Sequence, residues 1–359
     1  MRVLVCPTAF KESLSATEVA GAIAAGVRRA IPGADVRTLL LSDGGSGLIE
    51  ALAEAKGGRE ARISTTDPLG RPTAARVLWT ADDEVVIESA EACGLHLLAP
   101  DERNPLRTAT DGVGTLLERC AADGARRAIL GLGGSATVDG GTGMARALGW
   151  RFLDRASRDL EPGGGALADL ALIERPSLRL PLAVTSLADV RSPLLGPDGA
   201  AHRFAPQKGA SPTAVERLEY GLTRMADVAA RDLGVDVRDI AGTGAAGGLG
   251  AGCLLFLDAE LVPGAEYLLE ASGFEAALAD ADLLITGEGA WDATSGLGKI
   301  TRVVLARAEA AGVPALLVCG RAEGAPPEGV RLVSGPGGWL GADSLSALVE
   351  ADLRAQPTG

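Results

Sequence analysis

Apolar residues recur at helical spacing near the start of the chain. Ala20, Ile23, Ala24 and Val27 follow the sequence Ser15-Ala16-Thr17-Glu18, a capping box, and this predicts a helix over 15–29. The apolar run 2–6 before it and the run 34–41 after it read as strands, and a glycine-rich turn then leads into a helix over 48–56. Strand, helix, strand and helix in succession predict parallel strands joined by crossover helices. From about residue 59 the rhythm changes to short strand-like runs, 61–65, 75–80 and 84–89, separated by the turns Asp67-Pro68-Leu69-Gly70 and Ala81-Asp82-Asp83. A partly antiparallel region is expected there. Helix 114–122, strand 127–132 and helix 214–233 follow, and the tail then repeats the head with strand 282–286, helix 300–311, strands 315–318 and 330–333, and helix 345–353.

We therefore expect an α/β fold of two domains. Residues 1–65 plus 282–359 would form a discontinuous, doubly wound and mostly parallel domain, residues 66–281 an inserted mixed α/β domain, and the active site a cleft between them. The longest irregular stretch, 187–210, is expected to be a functional loop.

Composition narrows the classes of function. The 359 residues suffice for about two domains. Acidic residues outnumber basic ones by 47 to 34, and a net charge of −13 repels nucleic acid and anionic membrane surfaces. No stretch approaches the roughly 18 apolar residues of a membrane span, and the first residues read as a strand and not as a signal peptide. Cys6, Cys93, Cys120, Cys253 and Cys319 lie far apart without a C-x-x-C pair, so neither a zinc site nor a disulfide framework is expected, and a cytoplasmic protein fits best. With His96 and His202 as the only histidines, a multi-histidine metal site is excluded. Any metal would be a hard cation held by carboxylates.

Glycine carries the strongest chemical signal, at 49 residues against a usual share of roughly 7%. The cluster 131–143 follows a predicted strand and feeds a helix, where backbone N–H groups form a nest for phosphate. A dinucleotide fingerprint at Gly131-x-Gly133-x-x-Ala136 is the rival reading, weakened by Gly140, Gly141 and Gly143 inside the helix that it requires. The glycine run 242–252 reads equally as a close helix-packing segment, and no G-x-x-x-x-G-K-[ST] occurs. Only four basic residues are lysines, and Lys11, Lys208 and Lys299 all lie in motif-like surroundings. A compact ammonium suits a tight anion pocket. Acids beside glycine, at Asp43-Gly44-Gly45, Asp139-Gly140-Gly141 and Gly287-Glu288-Gly289 with Asp292, join Asp189 in the long loop. Asp-Gly is ordinary turn chemistry, yet several at predicted strand ends match where open α/β sheets bind ligands. Phosphate nests, carboxylates for magnesium, a lysine and an acid near an alcohol are the parts that phosphoryl transfer needs.

The order of Pro7-x-x-Phe10-Lys11-Glu12-Ser13, Asp43-Gly44-Gly45, Asp67-Pro68-Leu69-Gly70-Arg71-Pro72, Gly133-Gly134-Ser135-Ala136-Thr137, Pro206-Gln207-Lys208-Gly209, Gly244-Ala245-Ala246-Gly247-Gly248-Leu249-Gly250-Ala251 and Thr286-Gly287-Glu288-Gly289 resembles the type-1 glycerate kinase family over nearly the whole chain. The resemblance implies two α/β domains and ATP-dependent phosphorylation of D-glycerate, mainly at the 2-hydroxyl, with Mg2+. On that reading Asp189, Lys11 and Lys208 serve catalysis, with Asp189 orienting or deprotonating the alcohol. Lys11, Asp43, Gly44 and Gly45 bind the acceptor. Gly133, Gly134, Ser135, Ala136, Thr137, Gly287, Glu288, Gly289 and Lys299 bind nucleotide, and Asp43, Asp139 and Asp292 contact the metal. The partner is a small molecule, and the protein a monomer or homodimer. Thr8, Ala9, Ser46, Val138, Ala290 and Thr294 depart from the usual motif residues. They leave open a kinase of another small hydroxy acid, or a silent nucleotide- or anion-binding paralogue.

Overall fold

The computed structural model describes residues 1–10, 13–42, 44–81, 83–291, 300–335 and 341–355. The chain divides into two compact units, one of Met1–Asp43, Glu50–Gly57 and Ala265–Gly359, the other of Gly44–Ile49 and Gly58–Gly264.

The first unit holds a five-stranded sheet in the order Val330–Ser334, Ala315–Ala322, Leu283–Trp291, Arg2–Pro7, Asp35–Thr38. Every neighbouring pair is parallel. Val3, Leu4 and Val5 are all buried, without the alternation of a sheet wetted on one side, as a parallel sheet covered on both faces requires. Helix Ala16–Ala30 begins at the expected capping box: the Glu18 N–H donates to Ser15 Oγ at 3.3 Å, and the Ser15 N–H to Glu18 Oε2 at 2.8 Å. Its Val19, Ile23 and Val27 join Leu345, Val349 and Leu353 of helix Ala342–Ala355 in one core. Gly26 lies against the Ser346 carbonyl and leaves no room for a side chain where the two helices meet.

The second unit is built on a six-stranded sheet in the order Glu260–Val262, Ala183–Leu187, Arg127–Gly131, Glu84–Glu88, Pro72–Ala81, Arg59–Thr66. The first four strands are mutually parallel and the last two are added antiparallel. The expected domain limits therefore move. Residues 59–65 leave the first unit because the whole of Arg59–Thr66 pairs with Pro72–Ala81, from Arg59 opposite Trp79 to Thr66 opposite Pro72. At the other end, residues from Ala265 onward already belong to the first unit.

Strand Ala183–Leu187 has no counterpart among the predicted elements. Thr185 and Ser186 interrupt its apolar run, although Ser186 is fully buried at the centre of the sheet. The stretch 187–210 is not wholly irregular, since it contains helix Ala200–Phe204 and a single turn at Pro206–Lys208. Helix Pro212–Leu233 lays Leu218, Leu222, Met225 and Ala229 onto a second core with Trp150, Phe152 and Phe256. No helix among the described residues is long and apolar enough to cross a membrane.

Candidate active site

Three parallel strands of the six-stranded sheet end level, with Glu88 opposite Gly131 and Gly131 opposite Leu187. Their carboxyl ends deliver Ser89, the glycine-rich loop after Gly131, and Ala188-Asp189 to one edge of the second unit. This is the edge at which open α/β sheets place ligands.

The loop is held on both sides by backbone groups. The Leu132 N–H donates to the Leu187 carbonyl at 2.9 Å, the Leu95 N–H to Gly134 O at 2.8 Å, and the Ala136 N–H to Cys93 O at 2.7 Å. The buried Thr108 hydroxyl donates to Ala136 O at 2.7 Å. The Gly133-Gly134 tip remains accessible, whereas Ser135, Ala136 and Thr137 are buried. Gly134 takes a φ of 63°, a left-handed conformation that costs other residues about 1–2 kcal/mol.

Lys208 lies beneath this loop, 3% exposed, on the turn that follows helix Ala200–Phe204. Its Nζ donates to Ser135 Oγ at 2.9 Å and to the Thr137 carbonyl at 2.8 Å. Burial pushes its pKa down to about 8, against the opposing attraction of Asp139. The Cys93 thiol is itself driven up to about 12 by burial. It is therefore neutral at physiological pH. Ser135 accepts from Lys208, so its own proton is free to turn to another acceptor.

A second glycine-rich turn packs on the same edge. A Cβ on Gly133 would stand 2.6 Å from Gly45 Cα, one on Gly131 would strike the Gly44 carbonyl, and one on Gly44 would stand 3.1 Å from Leu187 Cβ. Glu88, absent from the sequence expectations, fixes this turn: its Oε1 accepts from the N–H groups of Gly47 and Ile49, both at 3.0 Å, at the start of helix Leu48–Lys56. An acid closing the apolar strand Glu84–Glu88 was the available signal, and its fit to a helix N-terminus is tertiary.

Asp139, expected at the metal, is fully buried and engaged otherwise. Its Oδ2 accepts from the Thr110 N–H at 2.9 Å, the Thr110 hydroxyl at 2.8 Å and the Gly143 N–H at 3.1 Å, while its Oδ1 accepts from the Gly141 N–H at 3.2 Å. Burial raises its pKa while these donors pull the other way. The geometry is that of a brace between two loops, and it corrects the metal assignment: a carboxylate enclosed by four donors does not also face a solvated cation. Among the described residues, no group of three or more His, Cys, Asp and Glu could hold a metal ion.

In the first unit, Phe10 is buried and packs under Gly287, whose Cβ would stand 3.4 Å from the Phe10 ring and 2.6 Å from the Val318 carbonyl. Gly287, Glu288 and Gly289 lie within strand Leu283–Trp291 and not in a loop beyond residue 286, since Glu288 continues the pairing opposite Cys319. Thr8, which departs from the usual motif, donates its hydroxyl to Gly287 O at 3.1 Å. Lys11, Asp43, Asp292 and Lys299 lie outside the described residues.

The profile of the Glycerate kinase family matches residues 3–331. A glycerate kinase of Bacillus subtilis (strain 168) is 44% identical over 324 residues, covering 89% of this chain and 85% of that protein. A glycerate 2-kinase of Escherichia coli (strain K12) is 41% identical over 304 residues, covering 84% and 80%. A crystal structure of a protein assigned as glycerate kinase 2 from Salmonella typhimurium LT2 superposes with a TM-score of 0.83 at 40% identity, covering 99% of this chain and 96% of that one.

Proposed function

The chain belongs to the glycerate kinase family and is a phosphotransferase, and we propose that it transfers the γ-phosphoryl group of ATP to the 2-hydroxyl of D-glycerate, giving 2-phosphoglycerate and ADP. The observation that carries this reading is the Gly133–Thr137 loop, with an accessible glycine tip and a buried ammonium bonded to Ser135 and Thr137 from below.

Backbone N–H groups of Gly133 and Gly134 and the Ser135 hydroxyl would receive phosphate oxygens. Lys208 is enclosed, so its part is to position Ser135 and to lend charge through it. Asp189, two residues beyond strand Ala183–Leu187, would take the proton of the attacking hydroxyl as the new P–O bond forms and the bond to the ADP oxygen breaks. Lys11 would hold the acceptor anion with Gly44 and Gly45. Gly287, Glu288, Gly289 and Lys299 would complete the nucleotide site.

Mg2+ characteristically takes one or two carboxylates together with substrate phosphates. Asp43 and Asp292 are our candidates for those contacts, and the ion would neutralise charge on the transferring group. Five free, buried cysteines support a cytoplasmic location.

The deciding experiment is coupled ADP release with Mg-ATP and a panel of D-glycerate, L-glycerate, glycolate, lactate and tartronate. Turnover on D-glycerate, with 2-phosphoglycerate identified by NMR, is expected. Turnover confined to another acid would overturn the substrate, and ATP binding without any ADP would overturn the kinase.

A further inference from the structure

Arg103 lies in the segment whose two ends clasp the glycine-rich loop, Leu95 donating to Gly134 O and Thr108 to Ala136 O. Its backbone and Cβ pack on Gly209, the residue after Lys208, where a side chain would strike the Arg103 carbonyl and stand 3.2 Å from its Cβ. A φ of 91° at Gly209 makes that approach possible. Arg103 is thus joined by direct packing to the turn that carries the ammonium under Ser135.

Among the described residues Arg103 makes no ion pair and no side-chain hydrogen bond, and its Nε is buried without an acceptor. The adjacent acid does not serve it, because Glu102 is held by Arg71 at 2.5 Å and 3.3 Å. Arg103 is half-buried and its Nε fully so; a buried donor left unmade costs about 1–3 kcal/mol, which an acceptor from outside the chain would recover. An arginine fork matches the paired oxygens of a carboxylate or phosphate.

We propose that Arg103 is an oxyanion-binding residue of this site, which grips either the carboxylate of the acceptor acid or a phosphate of the nucleotide. The proposal rests on the kinase reading only for the identity of its ligand. A partnerless buried donor also predicts that the protein without ligand gains nothing from it.

The test is Arg103→Met, which keeps the stem and removes the fork, with Arg103→Lys as its companion. Binding of D-glycerate and of ATP is measured by calorimetry, with the melting temperature of the unliganded proteins. The expected result is a tenfold or greater loss of affinity in the Met variant, partial recovery with Lys, and a melting temperature at or above that of the parent. Loss confined to D-glycerate identifies the acceptor carboxylate, and loss confined to ATP identifies a phosphate. Affinities within twofold of the parent, or a fall in melting temperature that accounts for the loss, overturn the proposal. If the parent binds ATP but never phosphorylates D-glycerate, the function falls, and the ATP titration still decides Arg103.

Discussion

Gly133 and Gly45 meet backbone to backbone, a Cβ on the first standing only 2.6 Å from Cα of the second. No rotamer change relieves a clash with main chain, so the two glycine-rich signatures form one packing unit. Gly133→Ala should therefore part the turns and cost about 1–3 kcal/mol of stability, read by urea denaturation. Gly134 has room for a Cβ instead, in ordinary contact with Ala90 Cβ at 3.4 Å and Ser46 Oγ at 3.8 Å. Gly134→Ala should show only the modest cost of its left-handed backbone, while ATP affinity falls by about tenfold or more if phosphate lies against that tip. Unchanged ATP affinity in a folded Gly134→Ala protein would remove the tip from the nucleotide site.

The Lys208 ammonium predicts two opposite responses to pH. Its pKa falls from the ordinary 10.5 to about 8 on folding, so between those values the unfolded chain holds the proton that the native protein has lost. The lysine's contribution to stability thus rises as pH rises from 8 to 10.5, and below 8 its burial is a cost. Nucleotide recognition should run the other way. The kcat/KM for ATP is expected to decline above about pH 8, with the limb abolished in Lys208→Met. A Met variant that retains the limb would assign it to another group.

Asp139→Ala separates a brace from a metal ligand. Removing the carboxylate leaves the N–H groups of Thr110, Gly141 and Gly143 and the Thr110 hydroxyl without their acceptor. At about 1–3 kcal/mol for each group left unsatisfied, a loss of at least 3 kcal/mol is expected by denaturant titration. A protein of parental stability with a weakened Mg2+ dependence would restore the metal role.

For Asp189→Asn the expectation is kinetic. Charge is removed with little change in volume, so kcat should drop by about 100-fold while the KM for ATP changes little. Retention of most of the turnover would transfer the proton-accepting role to another carboxylate.

The α/β class, the capped helix Ala16–Ala30, helices Leu48–Lys56 and Ile300–Ala311, and the close-packed backbone at Gly131 and Gly133 were legible in the sequence because each rests on local rules. Apolar periodicity reports a helix, a capping box its start, and glycine a backbone that must bend or be approached closely. Tertiary structure alone decided what depends on partners far along the chain. It assigned Arg59–Thr66 to the second sheet through pairing with Pro72–Ala81, and it placed Ala183–Leu187 between two strands despite a polar centre. It set Glu88 on a helix start, enclosed Asp139 among four donors, and left Arg103 Nε without an acceptor among the described residues. An acid beside glycine reads alike whether it ligates a metal or braces a loop, because its role is fixed by which donors surround it and how much water remains, and neither is a property of neighbouring residues in sequence.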